Sequence, residues 1–73
     1  MGKQTLTGRP PTERGRRKRG ALVQAAREEF EERGFEETRI AQITGRAGIA
    51  YGSFYTYFDS KDEVFHEVAK GVA

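Results

Sequence analysis

A single glycine, Gly48, divides two short apolar patterns of helical spacing, and this arrangement limits the possible folds more than any other feature of the sequence. The pattern before it recurs at i, i+3 and i+7 and consists of Ile40, Ile43 and Ala47. The pattern after it recurs at i and i+4 and consists of Phe54 and Phe58. Such spacing predicts two helices, with Thr38 as the N-cap of the first and the second running from about Ala50 or Tyr51 to Phe58. Two short helices joined by a tight turn form a helix-turn-helix.

A longer helix is predicted before this segment, over residues 16–33, with its start between Thr12 and Lys18. Its apolar residues recur at i, i+4 and i+8 and are Leu22, Ala26 and Phe30. Gly34 should end it in the left-handed conformation, as Gly48 should end the following helix. The acidic residues of this helix are interpreted as a solvated face; they are Glu28, Glu29, Glu31 and Glu32.

A last helix is predicted after the helix-turn-helix, because Ser60 and Glu63 form a capping box. Its buried stripe should consist of Val64, Phe65, Val68 and Ala69. All five phenylalanines are expected in the core: Phe30, Phe35, Phe54, Phe58 and Phe65. Gly45 lies inside the short helix before Gly48, so either a neighbouring helix packs close there or that helix is weak. The predicted fold class is all-α, a three- to four-helix homeodomain-like bundle with a helix-turn-helix.

The size and composition of the chain disfavour several classes of protein. With 73 residues it is enough for one small domain, and the absence of cysteine excludes disulfides and thiolate metal sites. No apolar run approaches the ~20 residues that span a bilayer, and the polar, then basic N-terminus is not a secretory signal, so a cytoplasmic protein without membrane contact is expected. The single histidine, His66, supplies no catalytic or metal-binding constellation. We therefore expect no enzyme, no cofactor and no metal.

The charge of the chain is unevenly distributed. The first 20 residues contain seven basic side chains and one acidic side chain, whereas residues 21–73 contain six basic and ten acidic ones. A basic end on a mildly acidic body points to a polyanionic partner, of which nucleic acid is the usual one. The alternative interpretation is a solvated tail that aids solubility, and charge alone does not separate the two.

The second helix of the helix-turn-helix has unusual surface chemistry. Its positions outside the core carry uncharged hydrogen-bonding and aromatic groups, whereas a solvated helix usually carries lysine and glutamate; they are Tyr51, Gly52, Ser53, Tyr55, Thr56 and Tyr57. The major groove of DNA admits one α-helix, and Gly52 lets the backbone approach the base edges. Lys61 stands at the start of the last helix, where the backbone N–H groups already favour a phosphate. This pattern is typical of a helix that binds duplex DNA.

These residues carry a resemblance to a known family. The matching segments are Phe30-Glu31-Glu32-Arg33-Gly34-Phe35, Thr38-Arg39-Ile40, Ile43, Ala47-Gly48-Ile49 and Tyr51-Gly52-Ser53-Phe54-Tyr55-Thr56-Tyr57-Phe58-Asp59-Ser60-Lys61. From about Arg17 to Val68 the chain resembles the N-terminal domain of tetracycline-repressor (TetR) family regulators. It departs from the family pattern at Thr44 and Gly45, at Ala50, where serine or threonine is common, and at Tyr51, where lysine is frequent. These departures affect the expected operator sequence and not the fold.

The resemblance implies roles for individual residues in sequence-specific binding to double-stranded DNA. The helix at about 50–58 would be the recognition helix in the major groove. The residues that would face bases are Ala50, Tyr51, Gly52 and Ser53, and those that would face the sugar-phosphate backbone or thymine methyl groups are Tyr55, Thr56 and Tyr57. Lys61 would bind phosphate, as would Thr38 or Arg39 from the helix before the turn. We expect a transcription regulator, more often a repressor in this family; the alternative is a helix-turn-helix module for protein or RNA with only non-specific DNA affinity.

The resemblance also implies partners for a longer protein. Members of the family act as homodimers on palindromic operators and use a C-terminal helical domain for dimerisation and for sensing a small ligand. That domain has no counterpart in these 73 residues. The expectation is therefore a DNA-binding domain that is monomeric or weakly dimeric by itself and that binds no small molecule. When bound to DNA it would associate with the bacterial nucleoid.

A flexible basic arm is predicted at residues 1–15, in front of the DNA-binding domain at 16–73. Gly8-Arg9-Pro10 matches the centre of AT-hook motifs, which place an arginine in the minor groove. The further arm residues that could contact phosphates are Arg14, Arg16, Arg17, Lys18 and Arg19. The hypothesis is that the arm enters the minor groove while the recognition helix reads the major groove.

Overall fold

A computed structural model describes residues 13–71 of the chain, and in this part every regular element is a helix. The helices are α1 (Glu13–Arg33), α2 (Ile40–Ala47), α3 (Phe54–Tyr57) and α4 (Lys61–Lys70), and a 3₁₀ turn (Tyr51–Ser53) leads directly into α3. The predicted all-α class is confirmed. None of the described helices is both long and apolar enough to cross a membrane.

The core lies where α1 packs against α2 and α4, and α3 adds the two phenylalanines predicted to face inward. Its fully or nearly fully buried members are Leu22, Ala25, Ala26, Ile43, Phe54, Phe58, Val64 and Val68. The rings of Phe54 and Phe58 lie 5.7 Å apart between their centroids. Because both phenylalanines come from the segment around α3, this segment is held to the bundle by one face, and its other residues remain at the surface.

Left-handed glycines end α1 and α2, as the sequence predicts. Gly34 has φ 88° and Gly48 has φ 72°. After α2, the N–H of Gly48 donates to the carbonyl of Gly45 at 3.2 Å, and the N–H of Ile49 donates to the carbonyl of Thr44 at 2.9 Å. These bonds satisfy carbonyls at the helix end and reverse the chain toward α3. No described neighbour lies within 4 Å of a Cβ built on Gly45, so close helix packing does not explain this glycine.

The prediction that Thr38 is the N-cap of α2 is wrong: the N-cap is Arg39. Thr38 is buried, and its hydroxyl donates to the carbonyl of Glu29 at 3.2 Å and to that of Gly34 at 2.8 Å. Because the hydroxyl stabilises the end of α1, it does not cap the following helix. The start of α2 is held instead by the N–H of Arg39, which donates to Oε1 of Gln42 at 2.9 Å.

The capping box at the start of α4 is confirmed, with one modification. Oγ of Ser60 accepts from the N–H of Glu63 at 3.2 Å. The Glu63 carboxylate accepts in turn from the N–H of Asp59 at 2.8 Å, one residue earlier than in the usual box. The stripe predicted for α4 is only half buried, since Val64 and Val68 are inside whereas Phe65 and Ala69 are exposed.

Phe65 belongs to a partly exposed aromatic cluster and not to the core. Its ring lies 5.5 Å from that of Phe30 and 5.1 Å from that of Phe35, and Phe30 and Phe35 are 5.4 Å apart. The residue remains 44% exposed. The cluster joins the end of α1, the following loop and α4, so the interpretation of all five phenylalanines as core holds fully for Phe54 and Phe58 only.

Of the four glutamates interpreted as a solvated face of α1, Glu31 is exposed as predicted, but the other three anchor α2. The guanidinium of Arg46, in the last turn of α2, lies 3.0 Å from Glu28, 2.8 Å from Glu29 and 2.8 Å from Glu32. Glu29 is only 4% exposed and also accepts from Nε of Arg33 at 2.6 Å. The hydrogen bonds that Arg46 donates to Glu32 and to Glu28 raise the pKa of Arg46. Hydrogen bonds from Gln24 and then from Arg46 lower the pKa of Glu28. We call Arg46 and its three glutamates the α1–α2 clamp.

Candidate nucleic-acid interface

The segment predicted as one recognition helix consists of two parts. The N–H of Ser53 donates to the carbonyl of Ala50 at 3.0 Å, an i to i−3 bond that makes the first turn a tight 3₁₀ turn. The α-helical part is limited to Phe54–Tyr57, because Phe58 has an extended backbone with φ −139° and ψ 142°. The predicted helix to Phe58 is therefore one residue too long, and its first turn is more tightly wound than an α-helix.

The outer side of this segment presents the uncharged groups that the sequence singles out. Tyr51 is 55% exposed and Tyr55 is 47% exposed, and Ala50, Gly52 and Thr56 are exposed as well. Ser53 and Tyr57 are half-buried, and Tyr57 packs against the core. The fold thus exposes five of the seven predicted residues of this segment, while Ser53 and Tyr57 are partly turned inward. We call residues 50–56 the reading segment.

Gly52 lies at the centre of the reading segment and leaves its backbone open. A Cβ built at this position meets no atom of the described chain within 4 Å. The glycine is therefore not required by packing inside the bundle. A ligand can therefore approach its backbone closely, as predicted for a residue near base edges.

The electrostatic surroundings of the reading segment favour a polyanion. From Thr38 to Phe58 the sequence contains no aspartate or glutamate, and its only charged residues are Arg39 and Arg46. Arg46 is bound in the α1–α2 clamp, so its charge is directed toward α1. Arg39 is exposed, and no ion pair is seen for it within residues 13–71. A phosphate approaching this surface meets a free guanidinium and no nearby carboxylate from the same segment.

Two predicted phosphate ligands, Lys61 and Thr38, have structural roles in the loop between α1 and α2. Nζ of Lys61 donates to the carbonyl of Phe35 at 2.6 Å and to that of Thr38 at 2.9 Å, and lies 4.3 Å from the centroid of the Phe35 ring. An ammonium group has three N–H donors, so one donor remains beyond these two bonds. Thr38 differs, because its side chain is buried and its hydroxyl proton is used inside the bundle.

The residues predicted as a basic arm differ in whether the structure describes them and in whether they form ion pairs. Residues 1–12, with Arg9, lie outside the described part, and residues 13–15 are helical, so the described portion of the arm is the start of α1. Glu13 pairs with Arg16 at 3.5 Å and with Arg17 at 3.4 Å. Arg14 and Lys18 are exposed, with no ion pair within the described residues.

Arg19 faces the bundle and is not a free arm residue. Its guanidinium lies 3.3 Å from Glu67 and 4.9 Å from the centroid of the Phe58 ring. It therefore connects α1 both to α4 and to the residue that ends α3. Burial raises the pKa of Glu67, but hydrogen bonds from Arg19 and then Lys70 outweigh this effect and lower it.

The α1–α2 clamp is the functional arrangement that sequence reasoning missed. Its signal was present, because Glu28 and Glu32 are spaced by one helical turn and Arg46 lies at the end of a helix that must pack on α1. A carboxylate pair at i and i+4 can receive one guanidinium from a neighbouring helix. The clamp fixes the helix that precedes the reading segment.

Comparisons with known proteins show the family of the chain. Residues 22–68 match the family model described as "Bacterial regulatory proteins, tetR family". The chain is 40% identical over 55 residues to the HTH-type transcriptional regulator YdgC of Bacillus subtilis, which covers 75% of this chain and 28% of that protein. It is 41% identical over 54 residues to the HTH-type transcriptional repressor KstR2 of Mycobacterium tuberculosis, which covers 74% of this chain and 27% of that protein.

A more distant relative is the fatty acid metabolism regulator protein of Bacillus subtilis, with 31% identity over 49 residues, 67% of this chain and 25% of that protein. The chain thus spans about a quarter of the length of the curated relatives it matches. No solved structure was found to match it.

Proposed function

Because the chain belongs to the tetR family of bacterial regulatory proteins, it is the DNA-binding part of a transcription regulator, and we propose that its reading segment binds base edges in the major groove. The observation that carries the proposal is the outer side of residues 50–56, where Ala50, Tyr51, Gly52, Tyr55 and Thr56 are exposed, no residue is charged and the backbone is open at Gly52. Direct reading of bases requires such groups at the groove floor.

Within and beside the reading segment, we propose the roles that the family resemblance implies, limited by how exposed each residue is. Ala50, Tyr51, Gly52 and Ser53 precede or form the 3₁₀ turn, and we assign them to base edges. Tyr55 and Thr56 follow on exposed positions of α3, where they can contact the sugar-phosphate backbone or thymine methyl groups. Tyr57 is half-buried against the core, so its contribution is limited to the edge that remains at the surface.

Phosphate contacts are proposed for Arg39 and Lys61. Arg39 is exposed at the N-cap of α2, and a guanidinium binds phosphate well in a bidentate manner. Lys61 uses two of its three N–H donors for the loop carbonyls, and the third can bind phosphate. Thr38 is not assigned a phosphate contact, because its buried hydroxyl already donates within the bundle.

The start of α1 extends the proposed DNA contact beyond the reading segment. Arg14 and Lys18 lie at i and i+4 on exposed positions and can contact phosphates beside the recognition site. Arg16 and Arg17 could also bind phosphate if their ion pairs with Glu13 were replaced by phosphate contacts. Arg19 remains bound to Glu67 and packed against Phe58. Arg9, which precedes the described residues, is proposed to enter the minor groove.

For the longer protein we propose a homodimeric repressor on a palindromic operator, acting in the cytoplasm and associated with the nucleoid when bound. The relatives named as repressors and the family membership support this proposal. A two-fold symmetric dimer binds two half-sites in successive major grooves, so the operator repeats the symmetry of the protein. The chain by itself should bind one half-site with modest affinity.

Selection from random duplexes tests the proposed function. The 73-residue chain and a covalently dimerised version are each used to enrich duplex DNA from a random pool, and binding is then measured against unselected duplex as competitor. We expect the single chain to enrich one short half-site and the dimerised version to enrich a palindrome of it. If enriched and random duplexes compete equally, the surface is a module for protein or RNA, and the proposal is wrong.

A further inference from the structure

Two tyrosine rings form the largest apolar feature of the exposed reading segment. Tyr51 and Tyr55 are i and i+4 neighbours, and their ring centroids lie 6.0 Å apart with an angle of 69° between the planes. About half of each residue is exposed. The ring of Tyr55 also lies 5.3 Å from that of buried Phe54, so the pair is supported from below and does not lie loose on the surface.

A hydrogen bond with Tyr51 raises the pKa of Tyr55 above its ordinary value of 10.0, so the phenol of Tyr55 is neutral at physiological pH. Because Gly52 between them contributes no side chain, the exposed rings of the two residues offer carbon surface to a ligand. Carbon surface recognises an apolar group and not a hydrogen-bonding edge.

We propose that Tyr51 and Tyr55 together form a contact for the C5-methyl group of a pyrimidine, so that the protein favours thymine over uracil and 5-methylcytosine over cytosine at one position of each half-site. This inference rests on the proposed function, because it requires the reading segment to lie in the major groove. The C5-methyl group is the only apolar group that a base pair presents in that groove. An apolar contact therefore has one ligand there, whichever pyrimidine carries it.

The expected size of the effect follows from the methyl group alone. Burying one such group contributes a factor of about four in affinity. Because thymine and uracil differ only in this methyl group, and 5-methylcytosine and cytosine likewise, each pair of duplexes isolates the contact from every hydrogen bond. The proposal also makes cytosine methylation a positive signal at that position.

The test uses the half-site selected with the 73-residue chain. Each thymine is replaced singly by uracil, and binding is measured by fluorescence anisotropy. We expect one position per half-site at which uracil lowers affinity about fourfold. At that position, a 5-methylcytosine duplex should bind about fourfold more tightly than the matching cytosine duplex.

Variants connect the effect to the two rings. Tyr51→Phe keeps the ring and should keep the thymine-to-uracil ratio, whereas Tyr51→Ala combined with Tyr55→Ala should bring the ratio to about one. Both residues are exposed, and circular dichroism checks that the variants remain helical. Arg39→Ala is the matched control, because loss of a phosphate contact lowers affinity for all duplexes and leaves the ratio unchanged.

Each outcome is decisive. A selected half-site in which no thymine is sensitive to uracil overturns the inference but leaves the proposed function standing. A ratio that persists in the doubly substituted variant also overturns it, and transfers the methyl contact to Ala50 or Thr56. If no sequence is enriched at all, the proposed function itself fails, and the inference fails with it.

Discussion

Gly52 is a residue whose side-chain size we expect to be limited by a bound ligand and not by packing inside the protein. Nothing in the described chain approaches the position where its Cβ would be, and the backbone is not in the left-handed region. A larger side chain is thus compatible with folding. If the residue matters, it matters because a ligand comes close to the backbone.

Gly52→Ala is therefore expected to leave the free energy of unfolding unchanged or to raise it by up to about 1 kcal/mol. DNA affinity should fall about tenfold, because the added methyl group displaces one base-edge contact worth about 1–3 kcal/mol. Gly20→Ala is the matched control, since Gly20 also lies on an exposed helical position with open space around its Cβ. Equal affinities of the two variants for the selected half-site would show that Gly52 does not lie at the groove floor.

Arg39 and Lys61 are expected to separate phosphate binding from folding. Lys61→Met removes two hydrogen bonds to the loop carbonyls of Phe35 and Thr38 and should lower the free energy of unfolding by about 1–3 kcal/mol. Arg39→Ala should leave stability unchanged. Both should reduce the slope of log affinity against log salt by about 1. Salt titrations and urea unfolding measure the two effects, and an unchanged slope in Arg39→Ala would remove this residue from the interface.

At the scale of elements, α2 and the reading segment are oriented by a polar contact between helices. Arg46 places three carboxylates of α1 around one guanidinium, and Glu29 among them is nearly fully buried. A buried carboxylate that loses a partner is strongly destabilising, more so than the loss of an exposed pair. The clamp thus sets how α2, and with it the turn at Gly48, lies on α1.

Arg46→Met is expected to lower the melting temperature and to lower DNA affinity at temperatures where the variant is still folded, because α2 is no longer held in one orientation. Glu31→Gln is the control, since Glu31 is an exposed residue of α1 with no ion pair in the described chain and no proposed DNA contact. Adding Glu32→Gln to Arg46→Met should cost little further, as the two residues act through one contact. Independent, additive losses would contradict the clamp.

The elements that the sequence predicted correctly are those fixed by local chemistry. Left-handed glycines at 34 and 48 end two helices, and Ser60 begins another, because each requires only its near neighbours. The errors have tertiary causes. The side chain of Thr38 is buried because its hydroxyl binds carbonyls at the end of α1. Arg46 binds carboxylates 14 to 18 residues away in the sequence, and the periodicity of a single helix does not predict contacts at that separation.

The same division applies to the candidate site. Exposure of the reading segment follows from Phe54 and Phe58, whose spacing already assigns the opposite side to solvent. Tyr57 packs against the core that the other helices form, and the attachment of Arg19 to Glu67 depends on where α4 lies. The periodicity of one helix therefore predicts which of its residues are exposed, but it does not predict which of its charged residues form ion pairs with other helices.

At the scale of the whole molecule, stability depends on pH through carboxylates that connect helices. Glu67 on α4 binds Arg19 on α1, and its pKa is below the ordinary 4.5. The unfolded chain therefore takes up this proton more readily than the folded chain. The stabilisation is fully present above pH 4.5 and is lost as the pH falls through the lowered pKa of the folded state.

We accordingly expect the melting temperature to fall between about pH 5 and about pH 3, and to fall less steeply in Glu67→Gln, which has no proton to gain at this position. Glu31→Gln, at an exposed position of α1 without an ion pair in the described chain, should leave the profile unchanged. Identical profiles for the protein and Glu67→Gln would mean that the α1–α4 pair does not contribute to acid unfolding.

The uneven charge of the whole chain leads to a final prediction, which decides whether the basic N-terminal residues bind DNA or act as a solubilising tail. Deleting residues 1–12 removes Lys3 and Arg9; if both contact phosphates, the salt slope should fall by about 2. Replacing only these two by glutamine should reproduce the change, since charge and not chain length is responsible. Arg9 in a minor groove adds a second expectation, a preference for A·T pairs beside the half-site that disappears with Arg9→Gln alone. An unchanged slope after the deletion would leave the arm as a solubilising tail and confine DNA recognition to residues 13–71.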